Sequence, residues 1–324
     1  CLVYLLAYSF IRNHFDSKKA LGISFFTALL FAIHPVQVET VCWISASKIV
    51  LSTFFYLSAL ICYIQYMRNS KWQYLLASVV SSILAMGCKE QSVIIVPCLL
   101  LFDWMLFKRN MRSLKVYIEK VYYLIPAIAI FIVTLVANKD TGEEIIGYTI
   151  VDRFIFLCYS VFKYLLISAI PFKLSYLYPF PFQVGEKIPM ALWIYPFVIL
   201  FIGYVIYLNR RKPLLVFCTL FFILHLLPVL HVIPLPRYVV VADRYLYIPY
   251  IAFAIGLSIL SYHLYERQRK WILYAGFLYC SYLCVYTASY APAWKNSDTL
   301  KEHFKEVLKK RETNLSINFK HEKQ

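Results

Sequence analysis

The segment Val121–Ala137 reads VYYLIPAIAIFIVTLVA and contains no charged side chain. A membrane-spanning β-strand alternates polar and apolar residues, so this near-continuous apolar run argues against a β-barrel. A helix needs about 20 mainly apolar residues to cross a bilayer. The segment therefore predicts an apolar helix of roughly membrane-spanning length.

The whole chain shares the apolar character of this segment. Of its 324 residues, 61% are hydrophobic and 15% are charged, and the mean hydropathy is +0.64. Soluble domains carry roughly 25% charged residues. The apolar content is enough for roughly ten spans. This composition excludes a soluble globular protein, a disordered chain and a secreted disulfide scaffold, and it predicts an all-α, polytopic membrane protein.

Eleven apolar runs are separated by charged or proline-marked breaks. They cover approximately residues 1–11, 20–35, 49–67, 72–87, 91–107, 121–137, 152–170, 190–208, 213–230, 245–263 and 271–290. As a helix the first run is only about 17 Å long, against a hydrocarbon core of about 30 Å. We therefore interpret the sequence as a fragment that begins inside a helix. The nine cysteines occur singly and are interpreted as small buried apolar residues.

The net charge of +16 is interpreted as a topological signal. Basic residues concentrate in five short connections: Arg12, Lys18 and Lys19; Arg68 and Lys71; Lys108, Arg109, Arg112, Lys115 and Lys120; Arg210, Arg211 and Lys212; and Arg267, Arg269 and Lys270. The alternate connections spread fewer basic residues over more sequence: Lys48, Lys89, Lys139, Arg153, Lys173, Lys187, Arg237 and Arg244. Because cytoplasmic loops are enriched in Lys and Arg, the first set is predicted to be cytoplasmic and the second set extracytoplasmic.

The number of runs conflicts with this assignment at one place. Three runs separate Lys108–Lys120 from Arg210–Lys212, and an odd number of crossings would put these loops on opposite sides of the membrane. Run 152–170 is the best candidate for a segment that does not cross, because it carries Arg153 and Lys163 and leads into several prolines. We predict about nine or ten membrane-spanning helices and one interfacial or re-entrant helix on the extracytoplasmic side.

Four polar stretches lie on the predicted extracytoplasmic side, where ionisable residues at membrane depth commonly mark function. They are His34–Glu39 with Trp43 and Ser45–Lys48, Gly87–Gln91, Pro171–Pro181, and Val241–Pro249 after the turn His231–Pro236. Each could be structural: a capped loop, a solvated Lys-Glu turn, an interfacial aromatic loop or an ion pair. Together they place Lys48, Lys89 and Arg244, with His34, Glu39, Glu90 and Asp243, on one face. Arginine suits phosphate recognition, so this cluster favours a lipid-linked phosphate ligand over an ion channel.

The same stretches resemble a known family. The order HPVQVE, W, SASK, GCKEQ, PFKLSYLYPFP, VADRYLYIPY and PAWKNSDTLKEH is similar to that of the transmembrane-and-tetratricopeptide-repeat O-mannosyltransferases and their bacterial relatives, which belong to the GT-C class of membrane glycosyltransferases. The resemblance covers residues 1 to about 300. It implies a GT-C-like helical bundle that transfers a sugar, usually mannose, from a polyprenyl-phosphate carrier to an acceptor, usually a protein Ser or Thr hydroxyl.

The resemblance also implies roles for individual residues. Lys48, Lys89 and Arg244 would bind the donor phosphate. Glu39, Glu90 and Asp243 are candidate catalytic carboxylates, although the family's principal base lies on a first outer loop that precedes Cys1. His34 and Tyr245 would support the site. No metal ligands are assigned, because a His and a Glu five residues apart match no zinc motif, and the displacement could be metal-independent or metal-assisted.

The resemblance predicts two regions. Residues 1–293 would form the transmembrane domain, without its first helix and first outer loop, and residues 294–324 a polar helical tail outside the membrane, either a short terminus or the start of tetratricopeptide repeats. The expected partners are a lipid bilayer, a polyprenyl-phosphate-linked sugar and a protein acceptor, without nucleic acid. Enrichment in Lys, Ile and Tyr favours a bacterial inner membrane over an endoplasmic reticulum. A lipid-phosphate transporter or flippase, and a non-catalytic membrane scaffold, are the alternatives.

Overall fold

The computed structural model describes residues 1–137, 148–230 and 239–305. Within these ranges the chain forms thirteen α-helices. They are α1 (Leu2–Ile11), α2 (Ser17–Ile33), α3 (Val38–Cys42), α4 (Ser47–Asn69), α5 (Trp72–Cys88), α6 (Ile95–Met105), α7 (Leu114–Ile118), α8 (Val121–Ala137), α9 (Ile150–Ala169), α10 (Ile194–Leu208), α11 (Pro213–Leu226), α12 (Pro249–Arg267) and α13 (Arg269–Tyr290).

Short 3₁₀ helices connect several of these elements. They are Pro35–Gln37, Ile44–Ala46, Glu90–Ile94, Met190–Trp193, Asp243–Leu246 and Ala291–Trp294. The β-structure found in the described residues is a single antiparallel bridge between Tyr178 and Val241. Each of the eleven apolar runs contains a helix, so the prediction of an all-helical fold is confirmed for the described residues.

Helix length and composition support membrane insertion for part of the chain. Three helical stretches are long and apolar enough to cross a membrane: Ile44–Asn69, Met190–Leu208 and Arg269–Trp294. Ser17–Ile33 and Pro35–Cys42 together make a fourth candidate, bent by 54° at His34. This bend follows from the sequence, because Pro35 keeps the preceding residue out of the helical conformation. The four shorter apolar helices are α1, α5, α8 and α11.

Contacts between helices bring several basic connections together at one end of the bundle. The guanidinium of Arg68 donates to the carbonyl of Ser9 (3.1 Å), and Arg109 contacts the sulfur of Met67 (3.8 Å). Lys19 pairs with Glu266 (3.4 Å). These contacts gather loops that the charge pattern assigns to the cytoplasm at one end of the bundle, called here the basic end.

The hairpin of α4 and α5 shows what lies at the other end. Ser78 donates to the carbonyl of Ala59 (2.7 Å) and Ser52 donates to that of Ala85 (3.0 Å), so the two helices run antiparallel. Arg68 and Lys71 therefore lie at the basic end. Lys48 and Lys89 lie at the opposite end, called here the site end.

Helix α9 also packs against residues of the site end. Ser160 donates to the carbonyl of Val240 (3.2 Å), and Tyr164 accepts from the backbone N–H of Ala242 (3.3 Å). The helix carries Asp152, Arg153 and Lys163 and is not among the span candidates. The prediction that this segment is interfacial or re-entrant stays a prediction.

Some positions of the sequence analysis lie outside the described residues. They are Lys139, Arg237 and the turn His231–Pro236. Of the tail, residues 297–305 are helical and residues 306–324 are outside the described ranges.

A buried ionic network closes the basic end. Asp103 on α6 is completely buried and accepts from Lys120 (2.6 Å) and from the Tyr63 hydroxyl (2.6 Å). Lys120 also donates to Tyr63 (2.6 Å), and Arg109 bridges Asp103 (3.4 Å) and Glu119 (2.5 Å). Lys120 and Arg109, which the sequence suggested were loop anchors, therefore also hold α4, α6 and α8 together.

This network predicts a large effect of one substitution. Removing one partner of a buried ion pair costs about 3–5 kcal/mol, so D103N should lower the free energy of unfolding by about 3 kcal/mol. Denaturant titration in detergent micelles, followed by circular dichroism, measures the change. The double variant D103N/K120M removes both charges and should recover part of the loss. A D103N protein within about 0.5 kcal/mol of the parent would contradict a structural role for the network.

Candidate functional site

The site end brings together three segments that are distant in sequence. They are α3 with the residues that follow it, the turn between α5 and Glu90–Ile94, and the 3₁₀ helix Asp243–Leu246. All three lie between the long helices, in short helical or turn segments, so their polar groups can face one another.

Arg244 is held in place by Glu39. One terminal nitrogen of its guanidinium donates to Oε1 of Glu39 (2.5 Å), and its backbone N–H donates to Oε2 (2.8 Å). Glu39 is fully buried, whereas the Arg244 side chain keeps 20% of its surface exposed. A guanidinium has five N–H donors, so the carboxylate fixes the orientation of Arg244 without using its full hydrogen-bonding capacity.

Two aromatic rings flank the guanidinium of Arg244. Its central carbon lies 5.6 Å from the ring centroid of Trp43 and 5.0 Å from that of Tyr245. Such cation–π contacts are typical of arginine. Together with Glu39, they leave Arg244 in one preferred orientation at the surface of the site.

Asp243 forms its hydrogen bond with a partner other than Arg244. Its Oδ1 accepts from the hydroxyl of Tyr178 (2.9 Å), and the Tyr178 oxygen also accepts from the backbone N–H of Ser175 (3.1 Å). The backbone N–H of Val240 donates to the carbonyl of Tyr178 (3.0 Å). Burial, with the nearby Glu39 carboxylate, raises the pKa of Asp243 well above its usual range. Asp243 thus fixes the loop that contains Tyr178 beside the site.

Lys89 is the second cation of the site. It ends α5, is mostly buried, and lies 3.6 Å from the exposed carboxylate of Glu90. Burial lowers the pKa of Lys89; Glu90 and Tyr245 oppose this shift, whereas the positive charges of Lys48 and Arg244 add to it. Burial therefore has a larger effect on the pKa of Lys89 than the neighbouring Glu90 carboxylate.

Lys89 and Arg244 line one recess. Its walls include Tyr245, Ser52 and Ser92, and its other lining residues are Ile49, Thr53, Tyr56, Gln91, Ile94, His225, Tyr247, Ile248 and Pro249. The recess therefore combines two cations with lining side chains of mixed polarity. Such a combination suits a phosphate attached to an apolar group.

The structure separates the predicted site residues into three sets. Lys89, Arg244 and Tyr245 line the recess, and Lys48 and Glu90 lie near Lys89. The buried Glu39 and Asp243 stand behind the recess and hold Arg244 and Tyr178. His34 lies apart from it: its Nδ1 accepts from the backbone N–H of Val36 (3.2 Å), and its ring packs on Tyr250 at 4.3 Å.

Five polar lining residues were not predicted from the sequence: Ser52, Thr53, Tyr56, Ser92 and His225. Ser52 uses its proton on the Ala85 carbonyl and therefore accepts from Ser92, at 2.7 Å between the oxygens. Tyr56 and His225 also contact each other. They lie within apolar helices, and only the polarity of His225 in such a run could have identified it.

Outside comparisons add no family to this description. Comparisons of the chain with family models, with curated proteins and with solved structures found no match. Among the described residues, no group of three or more His, Cys, Asp or Glu side chains could hold a metal ion.

The environment of Lys89 can be tested by its reactivity. Because its pKa is lowered, the neutral amine should form at lower pH than in an ordinary lysine, and the exposed Lys71, at the other end of α5, serves as the reference for labelling. Competitive acetylation across a pH series, followed by peptide mass spectrometry, should show half-maximal labelling of Lys89 at the lower pH. In R244Q this pH should rise, since one positive neighbour is removed. Equal labelling curves for the two lysines would contradict the proposed environment.

Proposed function

We propose that the chain is an integral, multi-pass membrane domain. Three observations support this: the span candidates, the collection of basic loops at one end, and the apolar surface of α10 and α13. Phe197, Leu200 and Phe201 on α10 are each at least 66% exposed, as are Phe277 and Val285 on α13. Such apolar surface is expected to contact lipid. The basic end would then face the cytoplasm and the site end the periplasm or lumen.

We further propose that this domain belongs to a GT-C-like glycosyltransferase that uses a polyprenyl-phosphate sugar donor. The observation that carries the proposal is the recess that Lys89 and Arg244, from distant segments, both line. Two cations at a site with both apolar and polar lining residues suit a phosphodiester that carries a lipid on one side and a sugar on the other. The resemblance suggests mannose as the sugar and a protein Ser or Thr hydroxyl as the acceptor.

The chemistry would be a displacement at the anomeric carbon. As the bond from this carbon to the phosphate oxygen breaks, negative charge develops on the departing lipid phosphate. Fixed donors aimed at developing charge stabilise a transition state more than a ground state. Lys89 and Arg244 would supply this stabilisation, with Lys48 adding positive potential nearby.

The burial of Glu39 and Asp243 indicates supporting roles instead of the catalytic roles expected for them. Both oxygens of Glu39 accept from Arg244, so a substrate hydroxyl would have to displace an ion pair to reach them. Asp243 is buried against Tyr178. Glu90 is exposed beside Lys89 and would adjust the charge of the phosphate site.

The proposed phosphate site predicts the effect of two substitutions. A hydrogen bond to a charged group contributes about 1.5–3 kcal/mol, and 1.4 kcal/mol is a tenfold change in affinity. K89Q and R244Q should therefore each weaken binding of farnesyl phosphate by at least about tenfold. Isothermal titration calorimetry in nanodiscs of neutral lipid measures this affinity.

K71Q is the matched control for this measurement. It removes the same charge from the other end of α5, about 25 Å away for a helix of this length, and should leave the affinity unchanged. Equal binding by the parent, K89Q and R244Q would refute the phosphate site.

A transfer assay separates the enzyme from the alternatives. The protein, expressed from its native coding region, is given labelled polyprenyl-phosphate mannose and Ser/Thr-containing peptides. Transfer that is lost in K89Q and R244Q supports the glycosyltransferase. Binding of the lipid phosphate without transfer would favour a lipid-phosphate transporter or a scaffold instead.

A further inference from the structure

Three cations of the basic end lie at the ends of helices that pack together. Arg12 follows α1, Arg68 lies in the last turn of α4, and Lys108 lies shortly after α6. They are called here the loop cations. Arg68 donates to a carbonyl in the last turn of α1 (3.1 Å), and Arg109, next to Lys108, contacts the sulfur of Met67 (3.8 Å). These contacts hold the three connections side by side.

The positive charges of these connections act on one another. The charge of Arg12 acts unfavourably on that of Arg68. His14 lies in the same connection as Arg12, and its pKa is lowered by burial and then by the positive charge of Lys108. Because like charges repel, an anion bound among the loop cations would relieve this repulsion.

The carboxylates of the basic end are paired with other cations. They are Asp16 and Glu266 with Lys19, Glu119 with Arg109, and Asp103 with Lys120. Within residues 1–137, 148–230 and 239–305, the loop cations form no ion pair with a carboxylate. The network around Asp103 is thus satisfied internally, whereas the loop cations keep their charge for a ligand.

Exposed apolar side chains flank the loop cations. Trp72 begins α5 and is 65% exposed, and Leu114 and Ile118 on α7 are 76% and 61% exposed. The pair of Arg109 and Glu119 keeps the end of α7 beside the loop cations. Tryptophan is enriched where a membrane meets water. A soluble phosphate needs no apolar neighbours, whereas a phospholipid would contact them with its glycerol backbone and acyl chains.

We propose that the loop cations bind the headgroup phosphate of an anionic phospholipid in the membrane leaflet at the basic end, with Trp72 and the apolar side chains of α7 against the lipid. This inference goes beyond glycosyl transfer and rests on the proposed membrane insertion. Basic clusters next to membrane helices attract anionic lipids, and a guanidinium matches two phosphate oxygens. Arg68 uses one donor on the α1 carbonyl and keeps others, since a guanidinium has five. The lipid would lie at the junction of α1, α4 and α6, at the opposite end of the bundle from Lys89 and Arg244.

Lipid binding by the purified protein tests this site. Native mass spectrometry counts bound lipids while phosphatidylglycerol or phosphatidylcholine is titrated into the protein in detergent. The measurement uses the K89Q/R244Q background, which removes the recess as a second phosphate site. In this background phosphatidylglycerol should bind more tightly than phosphatidylcholine. Each Lys or Arg near an anionic lipid surface changes the affinity about fivefold, so adding R12Q and K108Q should weaken phosphatidylglycerol binding at least about tenfold.

Two control variants separate a defined site from general positive charge. R267Q/K270Q removes the same charge from the connection between α12 and α13 and should leave the affinity nearly unchanged. R12K/K108R keeps both charges and should retain the preference for phosphatidylglycerol. Equal losses in R12Q/K108Q and R267Q/K270Q would overturn the site, as would equal binding of the two lipids. Displacement of phosphatidylglycerol by an equal concentration of glycerol phosphate would overturn the lipid assignment, because a soluble phosphate would then suffice.

Two further measurements keep this inference distinct from the proposed function. Extraction of the protein from membranes by alkaline carbonate would overturn the membrane domain, and the lipid site with it. A protein that resists carbonate but shows no preference for phosphatidylglycerol would overturn the lipid site alone. R12Q/K108Q with Lys89 and Arg244 intact should bind farnesyl phosphate as the parent does, and a loss of that affinity would contradict the separation of the two sites.

Discussion

The ion pair between Glu39 and Arg244 is the interaction on which the site depends. It joins segments separated by about two hundred residues, and the carboxylate accepts from both the side chain and the backbone of Arg244. A buried carboxylate would be costly without a partner, and a mobile arginine would be a poor phosphate ligand. The pair resolves both problems, because the anion is satisfied and the cation is oriented into the recess. Trp43, Tyr245 and the contact of Asp243 with Tyr178 complete the support around it.

The two ends of the helical bundle use charge differently. At the basic end, Asp103, Lys120, Arg109 and Glu119 neutralise one another and tie helices together. At the site end, the recess contains Lys89, which is mostly buried and which, among the described residues, forms its ion pair with the exposed Glu90 at 3.6 Å. A buried charge network that is fully satisfied stabilises a fold, whereas an excess of buried positive charge favours binding of an anion. This contrast distinguishes the site from the structural network.

The sequence predicted the helical fold well because apolar run length is a local property. Helices such as Val121–Ala137 match their runs, and Pro35 explains the bend that follows Ile33. The sequence also selected Lys89 and Arg244, because charged residues at breaks between apolar runs are conspicuous. It assigned catalytic roles to Glu39 and Asp243, whose partners and burial depend on packing between distant segments. Tyr56, His225 and Asp103 were not identified from the sequence for the same reason. The role of a polar residue inside an apolar helix depends on its partners on neighbouring helices, which the local sequence does not show.

The affinity of the Glu39→Gln variant for a lipid phosphate, compared with that of the parent, tests the central claim most directly. The decisive result is whether the substitution strengthens or weakens binding. Removing an anion near a phosphate site should strengthen binding if Glu39 acts only through its charge. If Glu39 instead holds Arg244 in position, E39Q should weaken binding of farnesyl phosphate in nanodiscs, and E39Q combined with R244Q should bind no more weakly than R244Q alone. Tighter binding by E39Q, or losses that add in the double variant, would contradict the dependence of the site on this ion pair.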